Sequence, residues 1–491
     1  MKYKAAGVAA CIVILLISAM NLPAVLCTDT GRYHQHLEAE EKAPCAHEGG
    51  VLCTHLPIIA IDTDGREIPG KAVKEGSKIV GYTSAGDGSD RIKAQIDVFD
   101  SDTNNNHLTD SPAITSGMTV HVRGNSSRTF DKLGYRINLM DKEGKNNPQP
   151  LLGMDSHHEW ALHGPFLDKT LMRNYMWYNI AGEIMDYAPN VRFCELVING
   201  EYMGVYVLTE IITAGKDGGR LNVTIDAKDN TFTGYVLLLD RLDGEEYNHL
   251  RSFTTYTLRT KHKLEIVYPG RSNLTEELCE GIKSDFSAFE KSLYSYDYDN
   301  QKYGYENLID VDSFVDYFLI NEFTCNYDAG WLSTFMYKDI DGKFRMCIWD
   351  FNSACDNYQQ AYMPENRFEM QLDLWFYMLF KDEHFADRCI ERYRELRKTY
   401  LSDEYLYNYI DGVAEYLGDA IQRNYEKWGY SFAEEYDLLK PTERNPRNYE
   451  QSIESMKRFI DVRGKWMDEN IETLRQYSAD SKVKKFNENA N

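Results

Sequence analysis

The stretch from Asn321 to Asn357, NEFTCNYDAGWLSTFMYKDIDGKFRMCIWDFNSACDN, constrains the fold of this chain more than any other. Phe314, Phe318, Leu319 and Phe323 recur at helical spacing and predict a helix that runs out into a polar turn carrying Asp328. STFMYKD and KFRMCIW alternate like two strands about the turn Asp339-Ile340-Asp341-Gly342, and Asp350 follows the second strand. Helix, acid, hairpin, acid is an order that can return both carboxylates to one end of a sheet. The competing reading is that two Asp residues beside a hairpin are ordinary turn formers.

The segments before this stretch read as β structure. LPIIAID, KIVGYTS, IKAQIDVFD and MTVHVRG are separated by Gly, Asp and Asn turns. DSDTNNNHLTD places Asp100, Asp102 and Asn104 as in the start of a calcium loop. Asn105 replaces the needed Gly and Ser111 the closing Glu, so it reads as a polar turn. In RGNSSRTFDKLGYRINL, Gly124 to Ser127 make a tight turn whose backbone N–H groups and hydroxyls could cradle phosphate or simply reverse the chain. Lys132 and Arg136 follow within reach of such a phosphate, with surface solvation as the alternative.

SHHEWALHG fails as a zinc-protease motif, because His163 stands five residues from His158 rather than four. Asp168 is expected to cap a helix over DKTLMRNYMWYNIAGEIM. A hairpin turning at Asn199-Gly200 ends in Glu210, and GYVLLLD ends in Asp240. A tyrosine-rich stretch from Tyr294 to Tyr305 looks irregular, and beyond Asn357 the apolar spacing is helical as far as Leu474. The expected fold is α+β and two-lobed, with a β-rich lobe over about 55–245, a mainly helical lobe over about 246–476 and a disordered tail over 477–491.

Charge and cysteines bear on compartment. A formal net charge of −23 argues against nucleic-acid binding and against attraction to anionic membranes. Lys2 and Lys4 precede an apolar run, AAGVAACIVILLISAM, that ends before Val25-Leu26-Cys27. That pattern fits a signal peptide over 1–28 and a secreted protein; the run is also long enough to stay as a membrane anchor. Leu26 fits a lipoprotein site at Cys27 poorly. Residues 29–54 read as a polar tether, in which Cys45 and Cys53 bracket AHEGGVL and are expected to form a disulfide outside the cell. Cys325, Cys347 and Cys355 lack the paired spacing of a zinc site and read as buried thiols or one bridge.

Four blocks in order, RGNSSRTFDK…YRINL, LHGPFLDKTLMRN, INGEYMGVYVLTE and NYDAGWLSTFMYKD…FRMCIWDFN, resemble the CotH kinases, a family named for a bacterial spore-coat protein. LPIIAIDTDGREIPG and FIDVRGKWMDENI add to the likeness, which spans about Leu56 to Leu474. The resemblance implies an atypical, secreted kinase fold that uses ATP with Mg2+ to phosphorylate Ser or Thr of extracytoplasmic proteins. The order of acids also matches that of kinases generally. On this likeness Asp328 is the catalytic Asp that accepts the hydroxyl proton, and Asp350 is the metal ligand.

Arg123, Asn125, Ser126 and Ser127 would then lie on the phosphate side, with Lys132 steadying the α- and β-phosphates and Arg136 the second choice. Glu210 and Asp168 match acidic positions of the family, either of which could orient a lysine. Two positions depart from the family pattern. Ser333 stands where many members carry Asn, and Asn352 where they carry a second Asp; both still offer an oxygen to a metal, and Asp356 or Asn357 could compensate. The alternatives are a non-catalytic surface or adhesion protein on the same scaffold and, more remotely, a two-carboxylate glycoside hydrolase. The acidic chain suggests a basic or Ser/Lys-rich protein target, with membrane contact only through an uncleaved N-terminal segment.

Overall fold

A computed structural model of the protein describes residues 31–43, 45, 52–76, 78–215, 219–227, 231–242, 246–252 and 262–479. The expected leader, and the tail after residue 479, lie outside the described residues. Met1–His34 form one unit, of which residues 31–34 are described and hold neither helix nor strand; Gln35–Asn491 form a second. Among the described residues no helix is long and apolar enough to cross a membrane.

Seven strands of the larger unit close into a barrel: β1 (Ile58–Asp62), β4 (Ile92–Phe99), β5 (Ile114–Arg123), β6 (Gly134–Met140), β7 (Glu159–His163), β9 (Glu201–Glu210) and β8 (Val191–Ile198), in that spatial order. Strands β2 (Ala72–Glu75) and β3 (Lys78–Tyr82) form a separate hairpin. Alternate residues point inward, and Ile59, Ile96, Met118, Val120, Ile137, Trp160 and Leu208 fill the interior. β1 closes the ring by pairing antiparallel with β4 and parallel with β8, Ile58 opposite Glu195 and Ile61 opposite Ile198. The β8–β9 turn lies at Asn199 and Gly200, both at positive φ, as a two-residue hairpin turn requires.

A second sheet has the order β11 (His249–Leu250), β12 (Lys263–Tyr268), β10 (Tyr235–Asp240), β13 (Thr334–Lys338) and β14 (Arg345–Cys347). The predicted hairpin is its β13–β14 pair, with Met336 opposite Met346. The described α-helices are α1 (Gln35–Glu38), α2 (Arg173–Ile184), α3 (Glu276–Tyr294), α4 (Val311–Thr324), α5 (Phe376–Leu379), α6 (Glu383–Leu396), α7 (Asp403–Leu417), α8 (Asp419–Trp428) and α9 (Tyr449–Asn470). Aromatic residues join several of them: Phe289 of α3 meets Trp375 at 5.5 Å between ring centres, and Phe318 of α4 meets Phe380 at 4.8 Å.

The chain is therefore α+β, as expected, with three differences of detail. The β-rich part is a closed barrel, which local alternation could not announce because closure depends on the distant β1–β8 pair. Helix α3 precedes the tyrosine-rich stretch and was missed, although Leu278, Ile282, Phe286, Phe289 and Leu293 form its buried stripe and Thr275 caps it through Leu278 N–H. The helical spacing expected beyond Asn357 breaks at Gly418, whose φ of +44° ends α7 and starts α8.

Candidate active site

Helix α4 delivers the first acid. Asp310 caps it, its carboxylate accepting from Ser313 N–H at 3.1 Å, and Cys325 ends it at a φ of +45°. Asn326 then donates through Nδ2 to Asn321 Oδ1 at 3.1 Å and to the Asp350 carbonyl at 2.9 Å, tying this turn to the second acid. The Asp328 carbonyl accepts from Trp331 and Leu332 N–H at 3.1 and 2.8 Å, which closes the turn leading into β13.

Helix α2 positions the second acid. Asp350 sits at a φ of +65°, and its N–H donates to Tyr178 Oη at 2.9 Å. The next N–H, of Phe351, donates to Asn174 Oδ1 at 2.7 Å, and the N–H of Asn352 returns to Asp350 Oδ1 at 3.0 Å. Phe351 is wholly buried and packs edge-to-face on Tyr178 at 5.9 Å. Asp-Phe-Asn is thus held by its backbone, leaving one Asp350 carboxylate oxygen without a hydrogen bond from the turn.

Electrostatics adds a third acid that the sequence reading did not select. Burial, then the negative charge of Asp350, with a further push from Asp240, raises the Asp328 carboxyl to about 7. Burial raises Asp350 as well; Asn352 N–H and Arg123 oppose this and Asp240 adds to it. Asp240 is itself raised by burial, while Arg241 N–H donates to its Oδ1 at 2.7 Å. The β10–β13 register ends with Leu239 opposite Thr334, so Asp240 falls beside Ser333, whose φ is +50°. The signal available in the sequence was an acid ending a hydrophobic strand, but its meaning needed the pairing with β13.

Two cations act on this region: Arg241, which opposes the upward shifts of Asp328 and Asp240, and Arg123, the last residue of β5. Its guanidinium lies over the Trp349 ring, 5.4 Å from the centre; burial lowers its pKa and Asp350 opposes that effect. In the turn beside it Asn125 and Ser126 are exposed and Ser127 is half-buried. Gly124 is required there, since at its φ of +109° an added Cβ would stand 1.9 Å from Ser127 Oγ.

The other expected site residues lie in bonds of their own. Lys132 is buried, donating to the Val205 carbonyl and to Asn424 Oδ1 of α8, each at 2.7 Å. Burial pushes its amine well below the ordinary lysine range, Lys169 adding to the effect. The role expected for Lys132 on the phosphates is corrected accordingly: this amine is a strut between β9 and α8. Arg136 pairs with Glu159 at 2.9 Å, and Glu210 with Arg220 at 3.3 Å. Asp168 pairs with Arg173 at 2.5 Å, and its other oxygen accepts Arg173 N–H at 2.8 Å; α2 starts at Arg173, later than the sequence suggested. Neither Glu210 nor Asp168 forms an ion pair with Lys132.

Asn352 Oδ1 accepts from Asn174 at 3.3 Å. Asp356 is committed to Arg444 at 2.7 Å and to Met363 N–H, so it does not replace the missing acid, and Asn357 donates to the Asn352 carbonyl at 2.8 Å. Cys325, Cys347 and Cys355 are buried thiols. A cavity of about 740 Å3 is lined by Asp356, Asn357 and Arg444 among others, but by none of Asp240, Asp328 and Asp350.

Fold and site together define an α+β protein with three partly charge-compensated acids gathered where β10, the α4–β13 turn and the end of β14 meet. A family model described as CotH kinase protein matches residues 120–467, and the chain belongs to the CotH kinase family. Among curated proteins none matches it.

Proposed function

We propose that this protein transfers the γ-phosphate of ATP to Ser or Thr hydroxyls of an extracytoplasmic protein, using Mg2+. The observation that carries this reading is the gathering of Asp240, Asp328 and Asp350: burial first, then repulsion from Asp350, raises Asp328 to about 7. A divalent cation would relieve that repulsion, and an all-oxygen donor set suits a hard ion. Asp350 and Asp240 would be its anionic ligands, with Ser333 and Asn352 as neutral donors. Bound there, Mg2+ would neutralise charge on the phosphates.

Arg123, rather than Lys132, would be the cation facing the phosphates. Asp328 takes the proton of the acceptor hydroxyl while its oxygen bonds to the γ-phosphorus and the bond to the β-phosphate oxygen breaks, releasing ADP. A pKa near 7 suits an acid that must take up and give back a proton. Export through the apolar N-terminal segment, and a basic or Ser/Lys-rich target for a chain of net charge −23, belong to the same proposal.

A second reading, a non-catalytic surface scaffold, draws support from the commitment of Lys132 to Val205 and Asn424. Thermal denaturation of the full-length protein separates the two. A rise in melting temperature that needs both ATP and Mg2+, and that Asp350→Ala abolishes, supports the kinase. No rise at any Mg2+ concentration supports the scaffold.

A further inference from the structure

We propose that Cys45, Cys53 and His107 form a binding site for one zinc ion, which clamps the N-terminal segment of the larger unit to the β4–β5 loop. One ligand atom from each, the two Sγ atoms and a ring nitrogen, lie within 4.8 Å of one another. Cys45 Sγ is 3.1 Å from His107 Nε2. Tetrahedral zinc, with Zn–S near 2.3 Å and Zn–N near 2.0 Å, sets such a pair roughly 3.5 Å apart. That pair therefore needs to open by only a few tenths of an ångström to share the ion.

The surroundings are those of a metal ligand rather than of a packing histidine. His107 is buried, and its Nδ1 lies 3.0 Å from Asp110 Oδ2, which also accepts the His107 backbone N–H at 2.9 Å. A carboxylate at Nδ1 fixes the proton there and leaves the Nε2 lone pair directed at the thiols, the outer partner that zinc-binding histidines commonly have. Asn105 Nδ2 lies 3.5 Å from Cys53 Sγ, a donor contact that favours a thiolate. Two sulfurs and an imidazole select zinc over magnesium or calcium, and water completes the four ligands. On binding, each thiol loses its proton to solvent as its sulfur bonds to the ion.

The backbone explains what the ion would hold. Ala43 N–H donates to the Thr103 carbonyl at 2.9 Å, and Thr54 and Asn106 exchange backbone hydrogen bonds at 3.3 and 2.7 Å. Both segments that carry the cysteines thus lie against the loop that carries His107. Both cysteines carry the thiol form here, which zinc requires, and the disulfide expected from the sequence is the competing use of the same pair. A disulfide would use neither His107 nor Asp110, whereas zinc uses all four residues.

The test is made on full-length protein purified anaerobically with a reductant. Elemental analysis should find one zinc per chain, and Co2+ added to zinc-stripped protein should give thiolate-to-cobalt absorption and the visible bands of a tetrahedral site. Cys45→Ser and Cys53→Ser should each abolish those bands. Asp110→Asn, which touches no metal, should weaken binding about 10- to 100-fold without removing it. Should the cysteine variants fail to fold, wild-type protein still decides: zinc must shield Cys45 and Cys53 from alkylation. Reduced protein that takes up no stoichiometric metal, or shows no shielding, overturns the proposal. So does a Cys45–Cys53 disulfide that re-forms in air with one equivalent of zinc present.

Discussion

Arg463 of α9 donates to the carboxylate of Glu322 on α4, and neither side chain has any exposed surface. The same carboxylate accepts Glu369 and Met370 N–H at 3.0 and 2.8 Å. Four residues before the Asn326 turn, this ion pair fixes the end of the helix that delivers Asp328. Breaking it strands a buried charge. Arg463→Leu should lose about 3–5 kcal/mol of stability, read as a lower denaturation midpoint in urea. A change inside experimental scatter would mean that water or a neighbour compensates Glu322.

Asp240 gives the sharpest test of the acidic cluster, since it was found through strand pairing and not through any motif. Asp240→Asn should weaken Mg2+-dependent ATP binding on the order of tenfold, equivalent to about 1.4 kcal/mol, while binding of metal-free nucleotide changes little. Asp350→Ala should abolish the metal-dependent part altogether. Calorimetric titration at several Mg2+ concentrations measures both, and equal affinities for Asp240→Asn and wild type would remove Asp240 from the site.

Asp328→Asn separates proton transfer from binding. Transfer of the γ-phosphate should fall roughly 10²- to 10⁴-fold, with the nucleotide dissociation constant unchanged. Single-turnover transfer beside equilibrium binding gives the comparison; undiminished transfer would contradict the assignment.

The raised Asp328 carboxyl has a signature in stability. Its folded pKa, about 7, lies above the ordinary 3.8, so the folded state holds this proton more tightly than the unfolded chain does. The contribution to stability is complete below about 4 and is lost as the pH rises through 7. In chelator, wild-type melting temperature should therefore decline over that interval relative to Asp328→Asn. Saturating Mg2+ should flatten the difference, because a nearby cation lowers the pKa. Parallel pH profiles in chelator would refute the coupling.

Lys132→Met tests the corrected role of this lysine. Loss of its bonds to Val205 and Asn424 should cost roughly 1–3 kcal/mol of stability and leave ATP affinity in Mg2+ within about twofold. A large loss of ATP affinity in a stably folded variant would return Lys132 to the phosphates.

Much of this was legible because it is local. Alternation drew the strands, Asn199-Gly200 drew the hairpin, and the β13–β14 hairpin between Asp328 and Asp350 was visible as two alternating runs about a turn. What escaped depends on residues far apart in the chain. Lys132 reads as a surface cation until Asn424, on a helix near the other end, meets it. Asp240 reads as a strand end until Leu239 is set opposite Thr334. His107 lay in a loop dismissed as a calcium site, and only folding brings Cys45 and Cys53 to it.

The parallel pairing of β1 with β8 also sets a schedule. Ile58 to Ile61 are made early, yet their partners, Glu195 to Ile198, leave the ribosome only after four further barrel strands have been made. Until then the edge of β1 that β8 covers has no partner, and such long-range pairing is slow to form. Closure of the ring is therefore a late event, set by the chain length that separates the two strands.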